Sequence, residues 1–313
     1  MNSIVTIAFY NLENLFDTKD DPHTLDRDFL PWGKKFWTKK KYHKKVLKMG
    51  KAISKISSDK TGKAPVLVGL AEVENATVVA DLVNSKYLKA ANYSFVHYDS
   101  PDERGIDVAL LVNNDDFTVE HSETIPISVY ELDGVKDYTR DALYVQGNLN
   151  GEEVHVFVCH WPSRRNGADE TSHKRIQAAK QITEYIRTNG GITERSKIII
   201  MGDFNDNPVD DSVKNYLVTD LLYNPFEKLL NITRGSLSHY SQWHLFDQII
   251  FSHNFFKSEK GKYSFQDADI FDHMFLKEWQ GRNEGTPFRT YSGKQYLGGY
   301  SDHFPVYINL KKS

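Results

Sequence analysis

Short apolar runs bounded by turn residues recur along the chain and predict β-strands. They are too short for helices and rich in Val, Ile and Phe, and they cover residues 4–10, 66–71, 106–112, 154–159, 197–201, 246–251 and 304–310. Two longer segments, 38–57 and 170–187, place apolar residues at helical spacing and predict amphipathic helices. The chain therefore mixes α and β elements.

The apolar content of these runs is nearly continuous, which is typical of sheets covered on both faces. Two packed mixed β-sheets flanked by helices would account for 313 residues, so we expect a four-layer α/β sandwich. No repeat and no Gly/Ser- or Pro-rich linker divides the sequence, which predicts a single domain over residues 1–313. We expect functional insertions in the loops 17–34, 160–169, 205–213 and 280–300.

Composition narrows the class of protein. Apolar residues make up 40% and aromatic residues 13% of the chain, which excludes global disorder. The formal net charge of -3 means that any preference for a polyanion must be local. The single cysteine, Cys159, excludes an intrachain disulfide and a cysteine zinc site, and we expect it in the core.

Targeting signals are not evident in the sequence. There is no apolar run of 18 residues and no signal-peptide pattern at the start, so we expect a soluble protein, most simply a monomer. The compartment stays open: cytoplasmic if the first residue is native, secreted or periplasmic if a signal peptide was removed.

Polar residues able to bind metal or transfer protons repeatedly stand at the ends of the predicted strands. They are Asn11, Glu13, Glu72, His160, Asp203, Asn205, Asp247, Asp302 and His303. A hard cation such as Mg²⁺, or Mn²⁺ in its place, prefers carboxylate and amide oxygens, which Asn11, Glu72 and Asp302 would supply. Asp203, Asn205, His160 and His303 suit phosphoester hydrolysis, which needs an oriented water and donors for the phosphoryl and leaving oxygens.

Five motifs carry a resemblance to a known family. They are YNLEN at 10–14, GLAEVEN at 69–75, GDFND at 202–206, FDQI at 246–249 and SDHFP at 301–305. In this order they resemble the endonuclease/exonuclease/phosphatase superfamily, and they span nearly the whole chain. The resemblance implies a four-layer sandwich with the site at one edge of both sheets.

The resemblance also implies roles for the matching positions. Glu72 would be the principal metal ligand, supported by Asn11 and Asp302. Asp203 would orient or deprotonate the attacking water, and Asn205 would hold the nucleophile and the phosphate. A metal role for Glu13 is doubtful, because abasic-site enzymes carry an aspartate there.

Two histidines would act on the phosphate oxygens. His303 would donate to a phosphoryl oxygen while Asp247 fixes its tautomer and keeps it protonated. His160, followed by Trp-Pro, resembles the general acid of the deoxyribonuclease and sphingomyelinase branches. Such a histidine needs a carboxylate partner, and both Glu103 and Asp107 are available.

Three arginines are candidates for contact with a substrate phosphate: Arg104, Arg140 and Arg164. Arg140, in YTRDAL, resembles a phosphate-contacting arginine of the deoxyribonuclease branch. Arg164, in the segment HWPSRR, has an equally plausible place in a solvated loop.

The predicted reaction is Mg²⁺-dependent hydrolysis of a phosphodiester by in-line attack of water, most simply by a nuclease-like enzyme. Alternatives are a phosphatase or a phospholipase C-type enzyme that acts on a phosphoinositide, a sphingolipid or a small phosphorylated metabolite. A non-catalytic binding module on the same fold is the alternative from another class. The expected partner is therefore a nucleic acid, a phosphorylated small molecule or a lipid headgroup.

Overall fold

The computed structural model describes residues 4–165 and 167–313. Twelve strands build two large sheets. In chain order they are β1 (Ile4–Leu15), β2 (Leu67–Val73), β3 (Tyr93–His97), β4 (Asp107–Asn113), β5 (Phe117–Ile125), β6 (Ala142–Leu149), β7 (Glu153–His160), β8 (Ile198–Asp203), β9 (Leu222–Tyr223), β10 (Asp247–Ser252), β11 (Tyr263–Ile270) and β12 (Val306–Lys312).

Each sheet has six strands and is mixed. The first has the order β11-β12-β1-β2-β4-β3, in which only β1 and β2 are parallel neighbours. The second has the order β9-β10-β8-β7-β6-β5, in which β7 and β8 are the parallel pair. Short two-stranded ribbons join Val129–Tyr130 to Lys136–Asp137, Leu237–His239 to Gln242–His244, and Tyr291–Ser292 to Gln295–Tyr296.

Four α-helices, α1 (Lys39–Lys55), α2 (Ser58–Thr61), α3 (Ala76–Val83) and α4 (Ser172–Thr188), accompany the sheets. Side-chain caps set two of their starts: Thr38 accepts from the Lys41 N–H, and Asn75 accepts from two N–H groups of α3. Short 3₁₀ segments cover Arg27–Phe29, Pro225–Lys228, His253–Phe256 and Met274–Leu276, and a π-helical turn covers Ser212–Leu217. Among the described residues, no helix combines the length and apolar character needed to cross a bilayer.

The two sheets pack face to face, and the helices cover their outer faces. Gly69 of β2 shows how closely the sheets approach, because a Cβ added there would lie 2.4 Å from Sδ of Met201 on β8. A second cluster of buried side chains, including Phe157, Cys159 and Ile182, lies between the second sheet and α4. The predicted sandwich of two mixed sheets flanked by helices is confirmed, as is the buried position of Cys159.

All seven predicted strands and both predicted helices form, with bounds shifted by a few residues at most ends. Five strands of the two large sheets and the helices α2 and α3 were not predicted. The missed strand β11 reads YSFQDADI, and most of its residues are only half-buried, so it lacks a continuous apolar run. Strand β5 lies at a sheet edge and carries polar residues on both faces, which removes the same signal.

Candidate active site

Strand register brings three predicted catalytic residues side by side in the second sheet. Asp203 at the end of β8 pairs with His160 on β7 on one side and with Asp247 on β10 on the other. Residues that face each other across a sheet project to the same face. All three side chains are buried, so one row of the sheet supplies two carboxylates and an imidazole.

Irregularities in the strand register of the first sheet position the side chains of Glu13, Asn14 and Glu72 at the site. The register between β1 and β2 shifts after Asn11, and the register between β2 and β4 shifts between Ala71 and Val73. Three non-glycine residues there adopt positive φ: Glu13 at 52°, Asn14 at 56° and Glu72 at 62°. Bulges and left-handed residues re-aim side chains, and such backbone strain is typical of functional sites.

Asn11 joins the two sheets at the site. Its Nδ2 donates to Asp203 Oδ2 at 2.9 Å, while its Oδ1 accepts from the Glu13 N–H at 2.9 Å. Glu72 Oε1 lies 3.5 Å from the same Nδ2. The amide therefore orients the Asp203 carboxylate, and only one lone pair of Oδ1 remains for a cation.

His303 and Asp247 form the predicted pair. His303 Nδ1 lies 2.7 Å from Asp247 Oδ2, and His303 Nε2 points toward Asp203 Oδ2 at 3.9 Å. Burial lowers the pKa of His303, but Asp247, Asp203 and Asp302 outweigh burial and raise the pKa well above its ordinary value. His303 is therefore a protonated donor near neutral pH.

Asp203 is a buried carboxylate with a raised pKa. Burial raises its pKa to about 6, opposed by the positive charge of His303 and by hydrogen bonds from Asn205 and Asn11. The Asn205 N–H donates to Asp203 Oδ1 at 2.9 Å from a left-handed backbone with φ of 50°. A base with a pKa near the working pH is effective in general-base catalysis.

His160 lies beside the carboxylates of Asp203 and Glu72. Its Nε2 lies 3.7 Å from Asp203 Oδ2 and 4.0 Å from Glu72 Oε1. Burial, with the nearby cations Arg140, Arg104 and His303, lowers its pKa well below the ordinary value. His160 is therefore neutral in the free protein near pH 7.

Neither predicted carboxylate pairs with His160. Its Nδ1 is buried and has no hydrogen-bond partner among the described residues. Glu103 is exposed to solvent, and Asp107 instead faces His97 and Ser100.

The donor set at the edge of the first sheet fits a hard divalent cation. Glu72 Oε2 accepts from the Asn14 N–H at 2.8 Å, and Asp302 Oδ2 accepts from Arg289 Nη2 at 2.6 Å. One oxygen of each carboxylate is thus held by the protein, which leaves Glu72 Oε1 and Asp302 Oδ1 for a metal. Burial raises the pKa of Asp302, but His303 and Arg289 outweigh it and hold the pKa below its ordinary value, so this carboxylate is ionised and able to bind a cation.

The three predicted phosphate-binding arginines have different surroundings. Arg104 Nη2 donates to Asn14 Oδ1 at 2.6 Å, so its guanidinium lies beside the metal-ligand edge. Arg140 is buried, donates to Asp102 and to the carbonyl of Trp161, and lies close enough to His160 to act on its charge.

Arg164 is held by acceptors of the protein. Its guanidinium donates to the Asn205 carbonyl at 2.6 Å and forms ion pairs with Asp206 and Asp210. It also stacks on Phe246 at 4.6 Å. Through its Nε and Nη2, Arg164 ties the loop after β7 to the loop after β8.

Two site residues were missed by sequence reasoning. Arg289 binds Asp302 from the segment 280–300, which was identified as an insertion without any residue being singled out. Lys45 is buried in a lysine-rich helix and donates to the Glu13 carbonyl at 2.7 Å and to Thr290 Oγ1 at 2.6 Å. Its position three residues after Tyr42 and four before Met49, both buried, places it on the inner stripe of α1, a signal that the sequence contains.

Glu13 is buried against the backbone of Thr290 and Tyr291. Its carboxylate accepts from the backbone N–H groups of Thr290 and Tyr291, and burial together with repulsion from Asp302 raises its pKa to about 7. The side chain therefore anchors the segment that carries Arg289.

The structure is a two-sheet sandwich with acidic and histidine groups gathered at one edge, an arrangement suited to phosphoester hydrolysis. The profile of the Endonuclease/Exonuclease/phosphatase family matches residues 6–312, and the chain belongs to this family. Members of the family are phosphoester hydrolases that typically use a divalent metal. A search of curated proteins finds no match.

Solved structures share the fold at low sequence identity. A family protein from Bacteroides thetaiotaomicron is 16% identical with a TM-score of 0.62, covering 100% of this chain and 99% of that one. D. rerio TDP2 complexed with a single-strand DNA product is 16% identical with a TM-score of 0.59, covering 98% and 99%. A mannosyl-6-phosphatase from Bacteroides thetaiotaomicron is 15% identical with a TM-score of 0.59, covering 98% and 99%.

Proposed function

We propose that this protein hydrolyses a phosphodiester by in-line attack of a water molecule, with a divalent cation bound at the edge of the first sheet. One observation carries the proposal. Asp203 Oδ2 lies 2.9 Å from Asn11 Nδ2, 3.7 Å from His160 Nε2 and 3.9 Å from His303 Nε2. A buried base is thus surrounded by three nitrogen groups on the face where a phosphate would enter.

Glu72 and Asp302, with Asn11 in support, would hold Mg²⁺ or Mn²⁺. When bound, the cation supplies positive charge to the phosphoryl oxygens and lowers the barrier to attack. Arg289 fixes the second oxygen of Asp302, and the Asn14 N–H does the same for Glu72. Preset ligands of this kind lose little freedom on binding the metal.

The other side chains have separate roles in the same step. Asp203 accepts the proton of the attacking water, with Asn205 and Asn11 holding its two oxygens. His303, kept cationic by Asp247, donates to a phosphoryl oxygen. Neutral His160 donates one ring N–H toward the leaving oxygen, which stabilises developing charge without a full positive charge.

A nuclease-like substrate is the first class to test, because Arg104 adds a cation beside the metal edge, where a neighbouring phosphate of a chain would lie. A phosphomonoester is the second. Arg289, whose side chain is 42% exposed, would favour the extra negative charge of a terminal phosphate, and the mannosyl-6-phosphatase shows that this fold accommodates such chemistry.

The test is hydrolysis of bis-p-nitrophenyl phosphate and of p-nitrophenyl phosphate with Mg²⁺, Mn²⁺ or EDTA. We expect metal-dependent cleavage of the diester by the wild type and loss of cleavage in His303→Ala. His253→Ala, at an exposed histidine away from the site, is the matched control and should keep full activity. Preference for the monoester would favour the second class. If neither ester nor a single-stranded oligonucleotide were cleaved with either metal, the hydrolase proposal would fail.

A further inference from the structure

A second group of metal-ligating side chains lies outside the site described above. His97, Asp99 and Asp107 each offer one ligand atom, and these atoms all lie within 4.8 Å of one another. His97 is the last residue of β3 and Asp107 is the first residue of β4, so the two strands deliver them to the same end of the first sheet.

The imidazole of His97 is aimed into this group without a hydrogen bond. Its side chain is only 3% exposed, and its Nε2 is buried and has no hydrogen-bond partner among the described residues. A buried ring nitrogen left unpaired is costly and calls for an explanation.

The separation of the two buried ligand atoms fits a shared cation. His97 Nε2 lies 3.4 Å from Asp107 Oδ2, which is long for a charge-assisted hydrogen bond. In a tetrahedral site with metal–ligand distances of about 2.0 to 2.1 Å, neighbouring ligand atoms stand about 3.3 to 3.4 Å apart. The two atoms therefore have the spacing of two ligands of one ion.

The carboxylate of Asp107 is also held as a metal ligand would be. Its Oδ1 accepts from the backbone N–H of Ser100 at 3.0 Å and from the Ser100 hydroxyl, which leaves Oδ2 directed at His97. Hydrogen bonds from a second layer of groups commonly fix ligating carboxylates in this way. Asp99 is exposed, so its side chain is free to complete the set.

We propose that His97, Asp99 and Asp107 bind a Zn²⁺ or Mn²⁺ ion, distinct from the cation of the hydrolytic site. An imidazole with two carboxylates favours these ions, whereas the oxygen ligands Glu72, Asn11 and Asp302 favour Mg²⁺. The new site does not rest on the proposed hydrolysis, because the two ligand sets share no residue.

The position of the ion indicates what it does. The three ligands clamp the base of the connection between β3 and β4, residues 98–106. This connection carries Asp102, the ion-pair partner of Arg140, and Arg104, which reaches Asn14 beside Glu72. A cation at the base would therefore hold Arg104 in place next to Asn14.

The test is a calorimetric titration of the full chain with Zn²⁺ in excess Mg²⁺, which keeps the hydrolytic site occupied. Co²⁺ is the spectroscopic probe, because tetrahedral coordination gives intense visible absorption. We expect one Zn²⁺ per chain, a rise in Tm on binding, and visible Co²⁺ bands.

Asp99→Asn is the main variant, since the side chain is exposed and the fold should tolerate it. We expect its Zn²⁺ affinity to fall by about tenfold or more, and His97→Gln to abolish binding. Asp59→Asn, also at an exposed aspartate, is the matched control and should bind as the wild type does. Identical isotherms for Asp99→Asn and the wild type would overturn the assignment, as would Zn²⁺ binding that disappears in Glu72→Gln.

Discussion

The two aspartates of the motif GDFND should have different roles: Asp203 in catalysis and Asp206 in stability. Asp203→Asn removes the proposed base and keeps its shape. Asp203 accepts from Asn11 on one oxygen and from Asn205 on the other, so an amide leaves one of these donors unpaired. An unpaired buried donor costs about 1–3 kcal/mol, offset by the removal of a buried charge whose pKa is raised. We expect kcat to fall by about 10²–10⁴ with little change in stability.

Asp206→Asn, three residues later, should do the reverse. The Asp206 carboxylate is buried and faces Arg164 at 2.5 Å, Arg175 at 2.8 Å and the Ser212 hydroxyl. Arg175 is only 1% exposed, so it loses its buried counter-charge. Breaking a buried pair by removing one partner costs about 3–5 kcal/mol, which corresponds to a fall in Tm of roughly 5–15 °C. The folded fraction should keep kcat within about tenfold of the wild type.

The assay is Mg²⁺-dependent hydrolysis of the better p-nitrophenyl ester at 25 °C, with thermal unfolding of the same samples. Circular dichroism confirms that each variant is folded at the assay temperature. The reasoning is refuted if Asp206→Asn loses as much kcat as Asp203→Asn with an unchanged Tm. It is equally refuted if Asp203→Asn has a markedly lower Tm than the wild type but retains its turnover.

Three further predictions concern charge. Asp247→Asn removes the charge that helps to keep the pKa of His303 high, so the alkaline limb of the pH profile of kcat/KM should move to lower pH. An unchanged limb would mean that it does not report the titration of His303. EDTA should abolish turnover and added Mg²⁺ or Mn²⁺ should restore it, whereas activity that survives metal removal would exclude the proposed mechanism. Burial raises the pKa of Glu74 from 4.5 to about 8, so the native state holds a proton that the unfolded state releases between these values. The contribution of Glu74 to stability is present at low pH and lost as pH rises through about 8. The free energy of unfolding, measured with urea, should therefore fall less between pH 5 and pH 8 in Glu74→Gln than in the wild type. An equal fall in both proteins would contradict the assigned pKa.

The two parallel central pairs were predictable because their strands are buried on both faces. Strands β1, β2, β7 and β8 have nearly every residue buried, and this produces the continuous apolar runs. Peripheral strands such as β5 are partly exposed to solvent on both faces, and no hydrophobic periodicity distinguishes them from loops.

The types and order of the candidate site residues could also be predicted from the sequence, because each follows or begins a buried strand and matches a motif. The residues with which they form hydrogen bonds and ion pairs could not be predicted. Arg164 was considered as a substrate ligand because it lies in an arginine-rich loop just after His160, and Glu103 and Asp107 were considered as partners of His160 because the segment DERGIDVALL offers two carboxylates. The fold instead gives Arg164 to Asp206 and Asp210, and gives Asp107 to His97.

The sequence by itself determined the class of fold, the buried strands and the chemical groups at their ends, because these depend on local periodicity and residue type. Only the tertiary structure decided that Asn11 bonds to Asp203, 192 positions away, and that Arg289 holds Asp302. It also decided that two bulges turn Glu72 and Glu13 into left-handed conformations. Such contacts depend on strand register and on how two sheets pack, and residues distant along the chain carry no local signal of either.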